Sequence, residues 1–556
     1  MSRSLRRLVA IAVSTFTVMG FSVVQVGAED RSGESEGGAL RDINHLVIIY
    51  EENHSFDNLY GGWEGVNGLS SARAARTTQV DQNGVAYACL LQNDVNLTSP
   101  PLPAGCNFPN KPFNIGQFIP ASAQTCPQPG GFFQFGSLPS ATNLPGGCTR
   151  DIVHRYYQEQ YQLNNGKQNR YVTGSDAVGL AMGYYDTKSL PIYAYLHGED
   201  HPAYAIQDNF FQSAFGGSFL NHQWLIAAAT PSWGGGPASR HAIIDSNGMP
   251  TAYPLYTPTG PVNDAGTPLT QQCGLTTTNP KRVCGDFAVN TIQPGQQPFR
   301  GQPQLPLQTG KTIGDELSAA GVSWAWYSGG WSNAAGLVGQ PGWTNGAAGP
   351  TCIDPYSQPN PAWPYCPNKV FQYHHQPFNY YAAYAPGTPG RSHLQDEQAF
   401  TNLAAGSSDS CNLKSVSFVK PIGLENEHPG YTSETAGSNH LVSLLKSIES
   451  SKCAEDTLVL VTYDEFGGQW DHVTPPGQGT KKGPHDVWGP GTRIPALVLA
   501  PDLQDDFVVD HTQYDTTSFL ATIEHRFGLK SLGSRDKAVK DLSFVFRARS
   551  PLEERD

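Results

Sequence analysis

The sequence lacks the short motifs that mark several common classes of enzyme and metal-binding protein. It contains no Walker A loop, no GxGxxG strand–helix unit, no HExxH pair and no EF-hand loop. The ten cysteines are scattered and form no CxxC pair, which argues against a cysteine-rich zinc site. These absences remove the motif-based assignments, so any function has to be read from the remaining pattern of acids, histidines and glycines.

Charge is also scarce. Charged residues make up 15% of the 556-residue chain and the formal net charge is −13. An acidic protein is a poor partner for nucleic acid or for an anionic membrane surface, so we expect no nucleic acid among its partners. No hydrophobic run after the first 28 residues reaches transmembrane length, and we expect no stable membrane insertion.

The first 28 residues have the pattern of a secretory signal peptide. Three arginines precede the apolar run LVAIAVSTFTVMGFSVV, and VGA before Glu29 offers a small-x-small cleavage site. Cleavage would remove three positive charges and no acid, leaving a mature chain of net charge −16. We therefore expect a secreted or periplasmic protein, with an N-terminal membrane anchor as the alternative reading.

An even number of scattered cysteines in an exported chain predicts about five disulfides. Because short loops close at little entropic cost, we expect neighbours to pair. The expected pairs are 89–106, 126–148, 273–284, 352–366 and 411–453.

Short apolar runs alternate with amphipathic segments along the chain. Residues 44–50, 457–465 and 495–501 read as buried strands, and residues 151–165, 437–452 and 514–528 read as helices. This alternation predicts an α/β sheet covered by helices on both faces. We expect a single catalytic domain over residues 29–556, with loop-rich insertions at about 70–150 and 231–395.

Two of the predicted strands end in acids. Glu51, Glu52 and Asn53 follow the first, and Asp464 and Glu465 close the second. Ligands in open α/β sheets lie beyond the carboxyl ends of the strands. The oxygen donors suit one divalent ion such as Mg²⁺, Ca²⁺, Mn²⁺ or iron, although an isolated acidic pair is more often a solvated turn.

A serine and several histidines could act beside such a metal. Ser218 follows Gly216-Gly217, which can expose a hydroxyl on a tight turn, but Leu220 breaks the GxSxG elbow of α/β-hydrolases. The histidines stand at 154, 374, 375, 428 and 472, and each alone is more often structural. Together with a hard metal they have the composition that phosphoryl transfer requires.

These segments resemble a known family. EENHSFDNLYG, HRYYQEQYQLNNGKQNRYV, DNFFQSAFGGSFLNHQWLIAAATP, YHHQPF, NEHPGY, VTYDEFGGQWDHVTPP and YDTTSFLATIEHRFGL follow one another in the order found in the bacterial phosphoesterase family of acid phosphatases and phospholipases C. The resemblance runs from residue 44 to about residue 529. It implies an alkaline-phosphatase-like fold and metal-dependent hydrolysis of phosphate esters.

Roles follow from the resemblance position by position. Glu52, Asn53, Asp464 and Glu465 look like metal ligands, and Ser218 looks like the metal-bound nucleophile that forms a phosphoserine. His154, His375 and His428 look like the histidines that contact the phosphate, with His374 as the alternative to His375. Many relatives have histidine where this chain has Phe466, and threonine where it has Ser218.

The resemblance leaves the substrate open. The segments around Ser218 and residues 154–167 are closer to the acid phosphatase branch, and no C-terminal β-rich extension follows the last motif. A phosphomonoesterase is therefore the first expectation, and a phospholipase C or other phosphodiesterase is the alternative. A secreted binding protein for metal or sugar phosphate is a third possibility, which phosphatase activity of the purified protein would exclude.

Overall fold

A computed structural model describes residues 40–92, 105–118, 149, 151–236, 241–242, 255–257, 260–262, 285–299, 301, 303–344, 371–406 and 410–550. The expected signal peptide, residues 1–28, lies outside these ranges. So do the three expected disulfides 126–148, 273–284 and 352–366.

Eight strands form the central sheet of the described part. They are β1 His45–Glu51, β2 Tyr204–Gln207, β3 Trp324–Ser328, β4 Leu394–Gln395, β5 Val416–Lys420, β6 Thr457–Tyr463, β7 Ala496–Leu499 and β8 Phe507–Asp510. Their order across the sheet is β4-β3-β5-β1-β6-β7-β2-β8. Only β7 runs antiparallel to its neighbours. The predicted α/β class, with an alkaline-phosphatase-like and mostly parallel sheet, is confirmed.

The central strand β1 is apolar on both sides because both faces of the sheet are covered. Its residues from Leu46 to Tyr50 are almost fully buried. β1 pairs in parallel with β5 and β6, with Ile49 opposite Val419 and Glu51 opposite Tyr463. The carboxyl ends of these three strands therefore meet at one edge of the sheet.

Helices cover the central sheet. Those of the described part are α1 Phe56–Leu59, α2 Ala74–Thr77, α3 Tyr156–Leu163, α4 Pro191–Leu196, α5 Ser218–Ala227, α6 Ile313–Ala319, α7 Trp331–Ala335, α8 Glu397–Ala404, α9 Glu434–Glu449, α10 Thr517–Phe527 and α11 Ser534–Ala538. Helices α4, α8 and α9 contact one another, and α5, α6, α10 and α11 form a second group of contacting helices. No helix among the described residues is both long and apolar enough to cross a membrane.

The strongly periodic helices were predicted well. The segment 437–452 forms α9, which begins three residues earlier because the Ser433 side chain caps it through the Ala436 amide. The segment 514–528 forms α10, which ends at Gly528 in the left-handed conformation. The expected helix at 151–165 is shorter, Tyr156–Leu163, because Arg155 before it has extended backbone.

The stretch 231–395 is more than the predicted loop insertion. It supplies β3 and β4 to the central sheet, together with α6 and α7. The sequence missed β3 because its WAWYS run lies within a region rich in glycine and proline without periodicity. The remaining strands form two-stranded sheets: Leu90–Gln92 with Gly105–Phe108, Phe113–Asn114 with Gly183–Tyr184, Phe210–Phe211 with Tyr514–Asp515, His241–Ala242 with Gly285–Ala288, and Leu255–Thr257 with Gly260–Val262.

Two of the five expected disulfides lie among the described residues, and both are present. Cys89 pairs with Cys106 across a small hairpin. Cys411 pairs with Cys453 and ties the segment before β5 to the turn before β6. This second bond fastens together the amino ends of two strands whose carboxyl ends carry the site described next.

Candidate active site

The ends of β1 and β6 lie side by side, as the sequence predicted. Glu52, Asn53, Asp464 and Glu465 are all fully buried. Asn53 has a φ of 62°, a left-handed conformation that asparagine tolerates better than most residues. Its amide donates a hydrogen bond of 3.1 Å to Asp464 Oδ1, which fixes one strand end against the other.

Helix α5 brings Ser218 to the same place. Ser218 is the first residue of the helix, and its Oγ donates to Glu52 Oε2 at 3.0 Å. The turn before it needs glycine because another segment passes very close. A Cβ on Gly217 would lie 2.8 Å from the His154 carbonyl oxygen, and one on Gly216 would lie 2.5 Å from the Tyr156 amide nitrogen.

The buried oxygen atoms suit a cation. Asn53 Oδ1, Asp464 Oδ2 and Glu465 Oε1 are buried and have no hydrogen-bond partner within the protein. Such orphaned acceptors destabilise a protein unless a ligand satisfies them. Carboxylate and amide oxygens are the ligands that hard divalent ions prefer, so the residues present fit the expected metal.

Burial and mutual repulsion raise the pKa values of Asp464 and Glu465 well above the usual range for carboxyl groups. Burial would do the same to Glu52, but His375 and Lys420 beside it outweigh that effect and hold its pKa well below its usual range. Glu52 is therefore the carboxylate that stays ionised before any cation binds.

Histidines surround the serine. His154 Nε2 lies 3.6 Å from Glu465 Oε1, and His428 Nε2 lies 3.2 Å from Asn53 Nδ2. His154 and His428 face each other with ring centroids 6.3 Å apart. Burial lowers the pKa of both rings, which favours neutral imidazoles.

The tautomers of these two histidines follow from their backbone contacts. His154 Nδ1 lies 2.5 Å from the Ile152 carbonyl oxygen, and His428 Nδ1 lies 2.6 Å from that of Pro429. A carbonyl oxygen only accepts, so each Nδ1 carries the proton and each Nε2 faces the site with its lone pair. Asn53 Nδ2 donates to His428 Nε2, which turns the Asn53 oxygen towards the other oxygen donors.

His374 and His375 have different positions. His375 is buried, and its Nε2 lies 2.9 Å from Glu52 Oε1. His374 is half-buried, and both rings line the pocket. His375 thus contacts a predicted metal ligand directly, whereas His374 is the more open of the two towards the pocket.

Above this centre lies a pocket of about 380 Å³. Its floor is formed by the serine and the four histidines just described, while the strand-end carboxylates lie beneath. Its walls carry mostly polar groups with a few apolar ones. The wall residues include Asp151, Ile152, Val153, Asp176, Phe219, Val289, Asn290, Thr291, Gln372 and Tyr431.

The GG pair after Glu465 also has a structural reason. Gly467 has a φ of 62°, and a Cβ there would lie 2.1 Å from the Asn53 carbonyl oxygen. The backbone of Gly467 therefore packs directly against the end of the other strand. Phe466 between them is fully buried.

The polar pair Asp471-His472 lies outside the pocket lining. Asp471 and Asp57 share the buried guanidinium of Arg493, which lies 3.1 Å and 3.0 Å from their oxygens. His472 Nδ1 lies 2.5 Å from Asp57 Oδ2. These contacts make the group a structural ion-pair network that holds α1 against the loop after β6.

Sequence reasoning missed two residues of the centre. Lys420, the last residue of β5, lies 2.6 Å from Glu52 Oε1. His222, one turn after Ser218 in α5, stacks on His375 with ring centroids 5.1 Å apart. The signal for Lys420 was available, since SVSFVK is a third buried strand that ends in a charge.

The chain is similar in sequence to several known proteins. Phospholipase C A of Mycobacterium tuberculosis is 24% identical over 92% of this chain and 79% of its own length. Non-hemolytic phospholipase C of Burkholderia pseudomallei is 23% identical over 88% of this chain, which spans 56% of that longer protein. A phosphonate monoester hydrolase from Silicibacter pomeroyi superposes over 23% of each chain with a TM-score of 0.16. The model of the Phosphoesterase family matches residues 43–530, and the chain belongs to this family.

Proposed function

We propose that the protein hydrolyses phosphate esters in the pocket above Ser218, with the Ser218 hydroxyl as the nucleophile. The observation that carries this proposal is the hydrogen bond from Ser218 Oγ to Glu52 Oε2 beside three buried, unpartnered oxygen acceptors. That arrangement places one hydroxyl next to a centre that needs a cation. Membership of the Phosphoesterase family supports the same reaction class.

Glu52, Asn53, Asp464 and Glu465, together with Ser218, would hold one divalent ion. When bound, this ion would supply positive charge that lowers the pKa of the serine hydroxyl and offsets the charge of the phosphate. Its identity stays open among the hard divalent ions, because the donors are all oxygen.

The chain's own groups complete the reaction. Ser218 gives its hydroxyl proton to Glu52 Oε2, to which it already donates, and its Oγ attacks phosphorus. The bond to the ester oxygen breaks, and the phosphoryl group remains on Ser218 until water releases it. Ser218 begins α5, and the amino end of a helix favours a negatively charged group. These steps require a proton for the departing oxygen and a base for the water.

We assign the proton transfer to His154. Its Nε2 faces the site, while His428 Nε2 already accepts from Asn53. A bound phosphate raises the pKa of a neighbouring imidazole, so His154 can carry a proton in the complex and deliver it to the departing oxygen. His374 and His428 would contact the phosphate, and His375 would support Glu52.

We propose a phospholipase C type of specificity as the first substrate class, because relatives that match most of this chain carry that name. In this reaction the departing alcohol is a diacylglycerol, and its acyl chains would remain outside the pocket.

Phosphomonoesters are the second candidate. The pocket of about 380 Å³ is small and largely polar, which suits a phosphate on a small alcohol. The two substrate classes differ in the alcohol that is released: a diacylglycerol from a phospholipid, and a small alcohol from a phosphomonoester.

A substrate panel separates these candidates. Phosphatidylcholine vesicles and p-nitrophenyl phosphate would be compared for the wild type and Ser218→Ala, with and without a chelator. Faster turnover of phosphatidylcholine supports the phospholipase reading, and faster turnover of p-nitrophenyl phosphate supports a phosphomonoesterase. If Ser218→Ala were as active as the wild type on both substrates, the serine mechanism would be contradicted.

Two disulfides in the described part also support the proposed export to the periplasm or beyond.

A further inference from the structure

The side chain of Lys420 is placed unusually for a charged group. It is almost fully buried at the end of β5. Its Nζ donates to the Tyr50 carbonyl oxygen at 2.7 Å and to that of Glu51 at 3.0 Å, and it lies 2.6 Å from Glu52 Oε1. Two of the three ammonium donors are used by the carbonyl oxygens, and the positive charge forms an ion pair with Glu52 Oε1.

The two carboxylate oxygens of Glu52 have different neighbours. Oε1 faces Lys420 and His375, at 2.6 Å and 2.9 Å. Oε2 faces Ser218 Oγ, at 3.0 Å. Only Oε2 is therefore directed towards the serine and the proposed cation site.

Glu52 and two histidines near it form a candidate for a second cation site. Glu52, His222 and His375 each offer one ligand atom, and these three atoms lie within 4.8 Å of one another. All three residues are at least nine-tenths buried. Two imidazoles and a carboxylate are a donor set that zinc, cobalt and iron accept.

The balance of charge determines whether a second divalent ion can bind beside the ammonium group of Lys420. Glu52, Asp464 and Glu465 bring three negative charges when ionised, and one divalent ion plus one ammonium group balances them. A second divalent ion added beside Lys420 would leave two uncompensated positive charges in a buried site, which is strongly unfavourable. The ammonium group and a second ion therefore exclude each other.

We propose that the ammonium group of Lys420 takes the place of a second cation at Glu52, so that the centre holds one metal ion and Glu52 presents only Oε2 to it. Lys420 acts through Glu52 and is a positioning residue. This inference rests on the proposed cation site, but it concerns how many ions bind there.

The test counts bound ions. Protein would be dialysed against excess Co²⁺, and the Co²⁺ content per chain would be measured together with the visible absorption of the bound ion. We expect one ion for the wild type and two for Lys420→Met, which removes the charge and keeps the length. The second ion should show the stronger absorption of a nitrogen-ligated, four-coordinate site.

A matched double variant locates the extra ion. Lys420→Met with His222→Gln should return to one ion, whereas His222→Gln alone should keep the wild-type count. One ion in a folded Lys420→Met protein would overturn the inference and leave the proposed cation site standing.

The wild type provides a test that does not depend on the folding of Lys420→Met. Titration with Co²⁺ should saturate at one ion even in large excess. Two ions in the wild type, one of them lost in His222→Gln, would overturn the inference. A fully active wild type that binds no ion would overturn the proposed cation site as well.

Discussion

At the scale of single residues, Ser218 is the group on which the proposed chemistry depends. Its hydroxyl lies at a helix start, next to a carboxylate that stays ionised. His154 and His428 also line the pocket, and a backbone carbonyl oxygen fixes the tautomer of each imidazole. The polar groups nearest the nucleophile are therefore set before substrate arrives.

Replacing Ser218 by alanine tests the nucleophile. We expect kcat to fall by roughly 10³-fold or more, because covalent catalysis and one ligand are lost together. The fold should survive, since the hydroxyl has one hydrogen bond within the protein. Turnover of a chiral phosphate ester by the wild type provides the independent check. Retention at phosphorus fits two successive displacements, and inversion would exclude a phosphoserine.

Replacing Asp464 by asparagine tests the cation site. Asp464 Oδ1 accepts a hydrogen bond from the backbone N–H of Asn53, while Oδ2 has no hydrogen-bond partner and lies 3.8 Å from His222 Nδ1. The amide keeps the size of the side chain but removes its charge, so metal content and activity should fall together. Elemental analysis of the purified variant and its kcat would be compared with the wild type. Full activity in a sample shown to be free of metal would contradict the prediction.

At the scale of elements, the start of α5 and the segment carrying His154 pack backbone against backbone. The double glycine before Ser218 makes this contact possible, since Cβ atoms there would lie 2.5–2.9 Å from main-chain and ring atoms of that segment. The nucleophile and the proposed proton donor are thus positioned relative to each other by main-chain packing.

The variant Gly217→Ala tests this contact. The φ of Gly217 is −98°, which alanine adopts without strain, so the expected effect comes from the added Cβ near His154. We expect kcat to fall by about 10-fold or more, because small displacements of catalytic groups slow turnover strongly. Gly310→Ala is the matched control, since no atom lies within 4 Å of its added Cβ. Equal kcat values for the two variants would contradict the prediction.

At the scale of the whole molecule, the protein buries acids that do not line the pocket above Ser218. Glu427 and Glu434 are nearly inaccessible to solvent, and burial raises the pKa of each to about 8. Both carboxyl groups bind protons more tightly in the folded protein than in the unfolded chain. The folded state is therefore expected to tolerate mild acid well.

The pH dependence of stability tests this expectation through Glu434. Its pKa rises from 4.5 to about 8 on folding, so the free energy of unfolding should fall as pH rises between these values and level off above them. The contribution amounts to about 3–5 kcal/mol, at about 1.4 kcal/mol for each step of one in pKa. Glu434→Gln keeps the shape of the neutral group and should lose much of this slope. The free energy of unfolding in urea would be measured for both proteins at pH 5 and pH 8.5. If it changed equally with pH in the two proteins, the prediction would be contradicted.

The sequence by itself determined the sheet, the strand-end acids and the serine. Apolar runs such as LVIIY are typical of buried strands, and parallel strands bring their carboxyl ends to one edge of the sheet, so Glu52 and Asp464 were expected at the same edge. The neighbour pairing of Cys89–Cys106 and Cys411–Cys453 followed from the same reasoning about short loops.

Only the tertiary structure decided which groups face each other across the centre. Lys420, His222 and His375 come from three separate elements and meet at Glu52 through strand order and helix packing. It also placed β3 within an apparent loop region and assigned Asp471 to an ion-pair network. Spacing along the chain carries no information on such contacts, because they depend on how elements distant in sequence pack together.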